Sequence, residues 1–443
     1  MPSPSRRSLL AALPAVGLAA LAGAPPAAAS AGAVLPALTR AARPLRTTRP
    51  DGDLADLRPL GAAIGRTPVV GLGEVAHGAH ELYALKHRVF RYLVEELGFR
   101  VFVLETSWTS GLLLNAYVRD GRGDPRAIMA AEFGGGAWPW GVHEYLDLLR
   151  WMRAYNVRHP GDPVTFAGND TAHPRLPGWL FDRVTGYAER RRPGLARELA
   201  GRYGGLRAHP ATEELLALPQ PERRRLAADA RRAHQLLAEA GPDRREPEAF
   251  AWAVQHARVL AQTATLLAYD LTDPAEIPES MRYRDELMAE NTAWWHRHTG
   301  QKVLLSAHAG HTGYETYVPD LYPVTQGAFL RQLLGPDYLS LGTTFGQGAT
   351  TEPDDSTGEW VTHRFGPPRE GSSEHTLDQV PHHLYLLDPR ETEPPARRWL
   401  HRTRPTRDVG PPGGAYYPYS LAAGHDLLIH VSTLRPAVPL AGA

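Results

Sequence analysis

The sequence predicts an α/β fold, with a parallel-dominated sheet flanked by helices and an inserted helical subdomain. Two observations support this fold class. Short apolar segments of strand length alternate with segments of helical periodicity towards both ends of the chain. Between them, residues 175–299 are rich in Arg, Ala and Leu and contain few strand signals. We therefore predict an α/β catalytic domain formed by residues 32–174 and 300–443, with residues 175–299 as a helical insertion.

The clearest strand–helix–strand unit lies in residues 67–105. Residues 67–74 (TPVVGLGE) and 99–105 (FRVFVLE) are apolar runs that predict buried strands. Residues 79–97 carry apolar side chains at helical spacing, and Gly98 is a typical helix stop. Two strands joined by a helix in this way form a βαβ unit, which predicts that the strands are parallel.

Further apolar runs extend the predicted sheet. A semi-periodic segment at 53–64 predicts a first helix, and residues 141–155 predict a helix between the second and third strands. Residues 345–378 are rich in Gly, Thr, Ser and Pro and are predicted to form loops. The later strand candidates are residues 164–167, 303–307, 338–343, 384–387 and 427–431.

Long amphipathic helices are predicted inside the insertion. Residues 222–240 and 250–269 show the helical spacing of apolar side chains. Arginine runs at 190–192 and 223–225 are interpreted as solvated helix faces rather than as binding sites.

Charge and cysteine content exclude several classes of protein. Basic and acidic residues balance, so the formal net charge is zero, and neither a nucleic acid nor an anionic membrane is expected as a partner. The chain has no cysteine, which excludes disulfides, thiolate catalysis and zinc–sulfur sites. Metal sites made of His, Asp and Glu remain open at this point.

The first 31 residues have the composition of an export signal. Arg6 and Arg7 precede an apolar run that reaches about Ala24, and the small residues at 27–31 offer cleavage sites. The paired arginines favour the twin-arginine route. We therefore predict a secreted or cell-surface protein without stable membrane insertion after processing. The alternative is a membrane anchor, although the apolar run is shorter than the roughly 20 residues of a span.

Several well-known catalytic motifs are absent from the sequence. It contains no Gly-x-Ser-x-Gly elbow, no His-Glu-x-x-His zinc helix and no phosphate-binding Gly-x-x-x-x-Gly-Lys-[Ser/Thr] loop. The chemistry must therefore depend on other groups.

A glutamate and a histidine stand where the first predicted strand turns into a helix, in the run GLGEVAHG (71–78). Ligands of open parallel sheets bind at this carboxyl edge, and Glu74 and His77 are close enough in sequence to reach one cavity. A carboxylate can orient an imidazole or share a water with it, and histidine is suited to general-base catalysis. The alternative interpretation is a helix cap with surface charges.

Polar groups also follow three other predicted strands. His308 and His311 stand three residues apart after an apolar run, Glu105 ends another, and Asp170 follows a third. Because the carboxyl ends of parallel strands share one edge of a sheet, we predict that these side chains converge. The alternative for the two histidines is one core side chain and one exposed side chain.

Several blocks of the sequence closely resemble the erythromycin esterase family. The run GLGEVAHGAHELYALKHRVFRYLVEELGFRVFVLE (71–105) carries the strongest resemblance. The blocks that are similar to later parts of the family, in the same order, are AWPWGVHEYLDLLRWMRAYN (137–156), RDELMAENTAWW (284–295), KVLLSAHAGH (302–311), DYLSLGTTFGQG (337–348) and YYPYSLAAGHDLLIHV (416–431).

The resemblance implies hydrolysis of an ester or macrolactone by water, with a histidine base, no covalent intermediate and no metal or other cofactor. At the matching positions, Glu74 and His77 look like the activating pair. Glu105 and His308 look like further charged members of the catalytic site. Lys86 matches a basic position of the family, which implies that it could stabilise the developing oxyanion.

Four further side chains are candidates for binding the substrate. His311 matches the second histidine of the family's His-x-x-His block, and Asp170 is retained at its strand end. Arg88 follows on the helix after His77. Trp140 could line a pocket for a bulky substrate, as could the pair Trp294-Trp295, and the alternative for both segments is ordinary core packing.

Two departures from the family's pattern affect the predicted pocket. The usual Gly-Phe-Asp appears as Gly168-Asn169-Asp170, and the usual Ala-His-Asn appears as Ala307-His308-Ala309. The first changes the local shape of the pocket and the second removes an amide side chain, so the resemblance does not specify the substrate.

Two other functions compete with the favoured hydrolase. The favoured one acts on a macrolide-like or other polyketide ester, in antibiotic inactivation or polyketide processing. An intramolecular cyclase or transesterase would use the same base, His77, to deprotonate a substrate hydroxyl instead of water. A metal- or haem-binding protein is the non-enzymatic alternative, because the family's fold is similar to that of haem- and iron-binding lipoproteins. Its ligands would be Glu74 and the histidines at 77, 80, 308 and 311.

Overall fold

The computed structural model of the 443-residue chain describes most of the sequence after residue 27. The predicted signal segment, residues 1–31, lies outside the described residues except for its last four, so export stays a prediction. No described helix is both long and apolar enough to cross a membrane. The described ranges are 28–134, 138–171, 175–242, 244–354, 357–410 and 415–440.

The strands of the described chain form one large sheet and one small sheet. Nine strands make the large sheet, and β9 and β10 make the small one. Their bounds are β1 (Arg43–Pro44), β2 (Val69–Glu74), β3 (Phe99–Ser107), β4 (Thr165–Asp170), β5 (Lys302–His308), β6 (Tyr338–Pro353), β7 (Trp360–Phe365), β8 (Leu384–Leu387), β9 (Arg404–Asp408), β10 (Ala415–Tyr419) and β11 (Leu427–Leu434).

The large sheet is parallel at its centre and antiparallel at one end. Its order is β1-β8-β11-β6-β2-β5-β3-β4, with β7 paired to β6. All neighbouring pairs from β11 to β4 are parallel. The strands β1, β7 and β8 pair in the antiparallel sense. This arrangement confirms the predicted fold class.

Helices cover both faces of the large sheet. The bounds of the α-helices are α1 (Ala28–Ala41), α2 (Arg58–Ile64), α3 (His80–Leu97), α4 (Trp108–Asp120), α5 (Pro125–Phe133), α6 (His143–Arg158), α7 (Gly178–Arg191), α8 (Pro193–Arg207), α9 (Thr212–Leu216), α10 (Gln220–Glu239), α11 (Pro247–Leu266), α12 (Ile277–Thr299), α13 (Ala309–Thr312), α14 (Gln326–Leu334), α15 (Ser373–Leu377), α16 (Pro394–His401) and α17 (Leu421–Gly424).

The alternation of side chains along the strands builds two apolar layers. On β2, Val70 packs in a cluster with side chains of α3 and α6, whereas its neighbour Val69 packs in a cluster with Ala293 of α12 and Leu330 of α14. Because both faces of the central strands are covered, those strands read as continuous apolar runs in the sequence. This burial leaves the carboxyl edge of the sheet as the place for polar groups.

The predicted insertion contains an apolar cluster of its own. Side chains of α7, α8, α10 and α11 supply most of the buried apolar residues between 176 and 268. The last helix of the predicted insertion, α12, packs instead against β3, β4 and β5. The division of the chain into domains at residues 175 and 299 stays a prediction.

One of the predicted solvated arginines is buried. Arg224 and Arg225 have side chains about 60% exposed, as the sequence predicted. Arg223 is only 9% exposed, and its Nη1 donates to the backbone carbonyl of Tyr269, 2.8 Å away. The solvated-face interpretation is therefore wrong for Arg223, because this side chain binds carbonyls that follow the end of α11.

The prediction of loops at residues 345–378 is also partly wrong. Strand β6 continues to Pro353, paired with β11 and then with β7. The glycines that suggested loops mark close backbone approach instead. A Cβ on Gly348, whose φ is 133°, would lie 2.0 Å from the carbonyl oxygen of Leu434 on β11. Glycine is therefore needed inside this strand.

Candidate active site

Four adjacent strands carry buried ionisable side chains at or near their carboxyl ends. In the order β2, β5, β3, β4 these are Glu74, His308, Glu105 and Asp170, and each residue is less than 10% exposed. Glu74 and His308 are direct partners in the register of β2 and β5. The structure thus brings the strand-end residues that the sequence singled out to one edge of the sheet.

The loop between β2 and α3 folds His77 back onto the end of its own strand. Gly78 has a φ of 66°, and a Cβ there would lie 1.9 Å from the carbonyl oxygen of Thr351 on β6. Only glycine fits this tight turn. As a result, Nδ1 of His77 lies 3.1 Å from Oε1 of Glu74.

The environment of His77 favours a neutral imidazole. Burial lowers the pKa of His77, and His308, His311 and Arg284 lower it further, whereas Glu105 opposes the shift. With Nδ1–H donated to Glu74, the lone pair lies on Nε2. No described residue forms a hydrogen bond with this Nε2, and the side chain is 21% exposed. Nε2 is therefore the nitrogen that is available to accept a proton.

Lys86 of α3 holds the other oxygen of Glu74. Its Nζ forms an ion pair with Glu74 Oε2. It also donates to Ser306 Oγ at 3.0 Å and to the carbonyl oxygen of Ala307 at 3.2 Å. An ammonium group has three protons, so all of them have partners within the protein. The side chain is 1% exposed, and burial lowers its pKa, which nearby Glu105 opposes.

An arginine of α12 joins the two strand-end carboxylates. Arg284 bonds Asp170 through Nε, 3.1 Å from Oδ2, and through Nη2. Its Nη2 also lies 2.9 Å from Glu105 Oε1. Burial opposes ionisation, but Asp170 and Glu105 raise the pKa of Arg284. Conversely, burial would raise the pKa of Glu105, but His311 and Arg284 hold it well below its usual value.

His311 is fixed between two carboxylates. Its Nδ1 lies 2.7 Å from Oδ1 of Asp285, and its Nε2 lies 3.4 Å from Oε1 of Glu105. Burial would lower the pKa of His311, but Asp285 and Glu105 raise it above the usual value. Asp285 is anchored in turn by the backbone N–H of Gln326, 2.6 Å away. This half of the edge is therefore a connected network of buried charges.

His308 has both ring nitrogens directed at protein groups. Its Nδ1 accepts a hydrogen bond from the backbone N–H of Gly310 at 3.1 Å. Its Nε2 lies 3.5 Å from Oδ1 of Asp408 on β9. The His308 ring meets the His77 ring edge-on, with centroids 5.0 Å apart. The backbone N–H of His308 donates to Glu105 Oε2 at 2.9 Å.

An aromatic wall supports the other side of His77. The Trp140 ring meets the His77 ring at an interplanar angle of 85°, with centroids 5.0 Å apart. Its Nε1 donates to the backbone carbonyl of Glu105 at 2.8 Å. Tyr83 and Tyr145 pack against Trp140 from behind. Trp140 therefore shapes the surroundings of the imidazole and is itself fully buried.

Two groups of predicted binding residues lie elsewhere. Arg88 is fully buried, and its guanidinium bonds Asp56 and the backbone carbonyl of Asp53. The pair Trp294-Trp295 packs against Trp108 in the apolar layer under the sheet. The structure places neither group beside His77.

Sequence reasoning missed three members of this edge. Arg284 and Asp285 begin the block RDELMAENTAWW, but adjacent charges on a helix are usually solvated, so the pattern gave no signal of burial. Asp408 lies on β9, which was not predicted as a strand. A charged pair inside a block of the family resemblance was the one available hint, and it applied only to Arg284 and Asp285.

One of the histidines proposed for the metal alternative lies apart from the other three. His80 is turned to Glu144, whose Oε1 lies 2.6 Å from its Nδ1. Within the described ranges, no group of three or more His, Asp or Glu side chains is arranged to hold a metal ion. The edge is instead built from pairs of imidazoles and carboxylates, an arrangement that can move protons.

Comparison with known proteins places this chain among relatives of similar length. The family model described as erythromycin esterase matches residues 94–434. The chain is similar to an erythromycin esterase type II of Escherichia coli, 26% identical over 75% of this chain and 83% of the relative. A shorter match, 31% identical over 116 residues, is to a putative hydrolase, YbfO, of Bacillus subtilis strain 168, covering 26% of this chain and 24% of the relative.

Solved structures share the fold over nearly the whole chain. A protein of Bacillus cereus matches with a TM-score of 0.81 at 28% identity, covering 92% of this chain and 98% of its own. A structure described as a succinoglycan biosynthesis protein matches with a TM-score of 0.80, also at 28% identity and with the same coverage. A mutant of the erythromycin esterase EreC matches with a TM-score of 0.71 at 18% identity, covering 89% and 98% of the two chains, and this match shows the fold alone. The chain belongs to the erythromycin esterase family, and that membership indicates a hydrolase of the esterase type with a small-molecule substrate.

Proposed function

We propose that the protein hydrolyses an ester or macrolactone by direct attack of water, with His77 as the general base. The observation that carries the proposal is the Glu74–His77 pair, in which Nδ1 is held by a carboxylate 3.1 Å away and Nε2 is uncommitted. Water adds to the carbonyl carbon while Nε2 takes its proton. The tetrahedral intermediate then expels the alkoxide, which receives that proton. The products are a carboxylic acid and an alcohol.

Glu74 orients the imidazole, and Lys86 positions Glu74. The family resemblance implied that Lys86 stabilises the oxyanion, but its three protons already have partners in Glu74, Ser306 and Ala307. Lys86 therefore acts through Glu74, since the ion pair between them fixes the carboxylate next to His77.

Positive charge for the developing oxyanion comes from the network on α12 and α13. Asp170 and Glu105 raise the pKa of Arg284, and Asp285 and Glu105 raise that of His311. Both residues lower the pKa of His77, although Glu105 of the same network raises it. The Arg284 guanidinium, and His311 when it is protonated, would stabilise negative charge that develops beside His77.

A serine–lysine mechanism is the strongest covalent alternative, because Ser306 Oγ lies 3.0 Å from Lys86 Nζ. Ser306 is, however, fully buried, and the hydroxyl of Tyr145 lies 3.2 Å from the same Oγ. A nucleophile must reach the carbonyl carbon of a substrate. The burial of Ser306 therefore favours water as the nucleophile.

The substrate class and the location complete the proposal. The family membership favours a macrolide-like or other polyketide ester, and the signal-like residues 1–31 favour action outside the cytoplasm. An enzyme that cleaves such esters outside the cytoplasm would serve in antibiotic inactivation or in polyketide processing.

Mass spectrometry of reaction products tests this function. The purified protein is incubated with a panel of macrolides and simple esters, beside His77→Ala as the control. Hydrolysis adds the mass of one water to a macrolactone, whereas cyclisation or transesterification does not. We expect the hydrolysed product with the wild type only. Because no acyl-enzyme forms, pre-steady-state kinetics should show no burst. Chelators should not inhibit the reaction. A trapped acyl-enzyme, or activity that is lost on chelation and restored by one metal, would contradict the proposal.

A further inference from the structure

The strand β9 lies beside the loop that carries His77, although it comes more than 300 residues later in the sequence. The backbone N–H of Val409 donates to the carbonyl oxygen of Val75 at 3.0 Å. Ala76 and Val409 form a parallel bridge. This pairing fixes Asp408, one residue earlier, against the end of β5. Its position is therefore set by the same loop that sets His77.

The backbone decides where the proton of His308 resides. Nδ1 accepts the N–H of Gly310 at 3.1 Å, so Nδ1 carries a lone pair and the proton lies on Nε2. That Nε2–H lies 3.5 Å from Asp408 Oδ1. Neither atom is open to solvent, and neither has a hydrogen-bond partner among the described residues. The Nε2–H of His308 is therefore a donor without an acceptor among these residues, and Oδ1 of Asp408 is the acceptor that lies beside it.

The pair matters because His308 touches the base. The rings of His308 and His77 meet edge-on with centroids 5.0 Å apart. A second proton on His308 would place a positive charge next to the His77 imidazole. Rotation of the His308 ring would remove the contact between the two rings. Burial raises the pKa of Asp408, while His308 and His311 oppose that shift. A carboxyl oxygen accepts a hydrogen bond in either protonation state, and so would an amide oxygen.

We propose that Asp408 is a positioning residue, which accepts the Nε2–H of His308 and thereby holds a neutral His308 ring against the catalytic base. This inference rests on the proposed role of His77 in hydrolysis. It assigns to β9 a part in catalysis, because removing the acceptor should disturb the base rather than the binding of substrate.

The chain offers a matched control for this pair. His430 Nε2 lies 3.3 Å from Asp378 Oδ1, and its Nδ1 lies 3.0 Å from Thr344 Oγ1. This second histidine–aspartate pair has a similar distance and is no part of the strand-end network, although the Asp378 side chain is 30% exposed. Asp378→Ala therefore removes a carboxylate from a histidine without touching His308.

The test compares Asp408→Ala, Asp408→Asn and Asp378→Ala by steady-state kinetics on an ester that the wild type hydrolyses. We expect kcat of Asp408→Ala to fall about tenfold to a hundredfold, with KM changed less than about threefold, because a buried donor loses its acceptor. Asp408→Asn should keep kcat within about threefold of the wild type, and Asp378→Ala should leave kcat unchanged. A loss in KM alone, or equal losses in all three variants, would overturn the proposal.

Nitrogen-15 NMR of labelled histidines gives a readout that needs no turnover. His308, assigned from the signals missing in His308→Gln, should show the Nε2–H tautomer in the wild type and in Asp408→Asn. Asp408→Ala should keep that tautomer, because Gly310 still donates to Nδ1, but the Nε2 and Hε2 signals of His308 should move upfield because the hydrogen bond to Asp408 is lost. An unchanged His308 signal in Asp408→Ala would refute the pair even if no ester is turned over. Full activity of His77→Ala would instead refute the proposed function and leave this spectroscopic result to stand by itself.

Discussion

The strand-end edge and the helical region formed by α7 to α11 use charge in opposite ways. At the edge, Glu105, Asp170 and Arg284 are buried and bonded to one another, and buried Glu74 is paired with Lys86. In the helical region, arginines such as Arg207, Arg224 and Arg225 form ion pairs at the surface. The difference shows that the arginine-rich stretch of this sequence carries little chemistry. The chemistry is concentrated where a few charges cannot reach solvent and must therefore be paired.

The largest effect is expected where a buried charge loses its partner. Arg284→Met leaves Asp170 and Glu105 without their shared cation, so it should lower the free energy of unfolding by about 3–5 kcal/mol. Arg282→Met is the control on the same helix, because Arg282 pairs with Glu279 and Glu286 at the surface. It should cost less than about 1 kcal/mol. Urea unfolding measures the free energy of unfolding of both variants. Similar losses for the two would contradict the claim that buried charges depend on their partners more than surface charges do.

A buried carboxyl group that forms no ion pair among the described residues sharpens the same comparison. Glu374 is fully buried and forms no ion pair in the described ranges, and burial raises its pKa from 4.5 to about 7. At pH values between 4.5 and about 7, the folded protein keeps a proton on Glu374 that the unfolded chain has lost. The free energy of unfolding therefore declines as the pH rises through this range.

Glu374→Gln should remove this decline. The variant should match the wild type near pH 4 and exceed its stability at pH 8, by on the order of 3 kcal/mol. Thermal unfolding at the two pH values measures this, with Glu393→Gln as a surface control. A variant that is equally stable or less stable at pH 8 would show that the carboxylate has partners that compensate its burial.

The smallest effects are expected inside the arginine run of α10. Arg223→Met should cost about 1–3 kcal/mol, because the buried guanidinium binds backbone carbonyls after α11. Arg224→Met should cost less than about 1 kcal/mol, since its pair with Glu276 is largely exposed. Chemical denaturation of the two variants distinguishes them. A larger loss for Arg224 than for Arg223 would mean that burial does not separate these neighbours.

The sheet could be predicted because its central strands are buried on both faces. The apolar runs of these strands, and the end of helix α3 at Gly98, can be recognised from neighbouring residues in the sequence. The extension of β6 beyond residue 345 could not be predicted, because Gly348 is required by β11, a strand that comes much later in the chain. Local composition indicated a loop, whereas the cause of the glycine is a tertiary contact.

The site divides in the same way between local and distant information. Glu74 and His77 form a pair within one turn, and their spacing was enough to predict it. Arg284 meets Asp170 across 114 positions of sequence, and Asp408 meets His308 across a similar gap. The partners of a buried charge are set by the fold, so a pattern within one segment could not reveal them.

The central claim is that His77 activates water, and turnover by His77→Ala tests it most directly. The account predicts that kcat/KM falls about 10²–10⁴-fold while the melting temperature stays close to that of the wild type, since the side chain is partly exposed. His80→Ala, three residues later and bonded to Glu144, should keep kcat/KM within a few-fold. Wild-type turnover by His77→Ala would contradict the account and require another base.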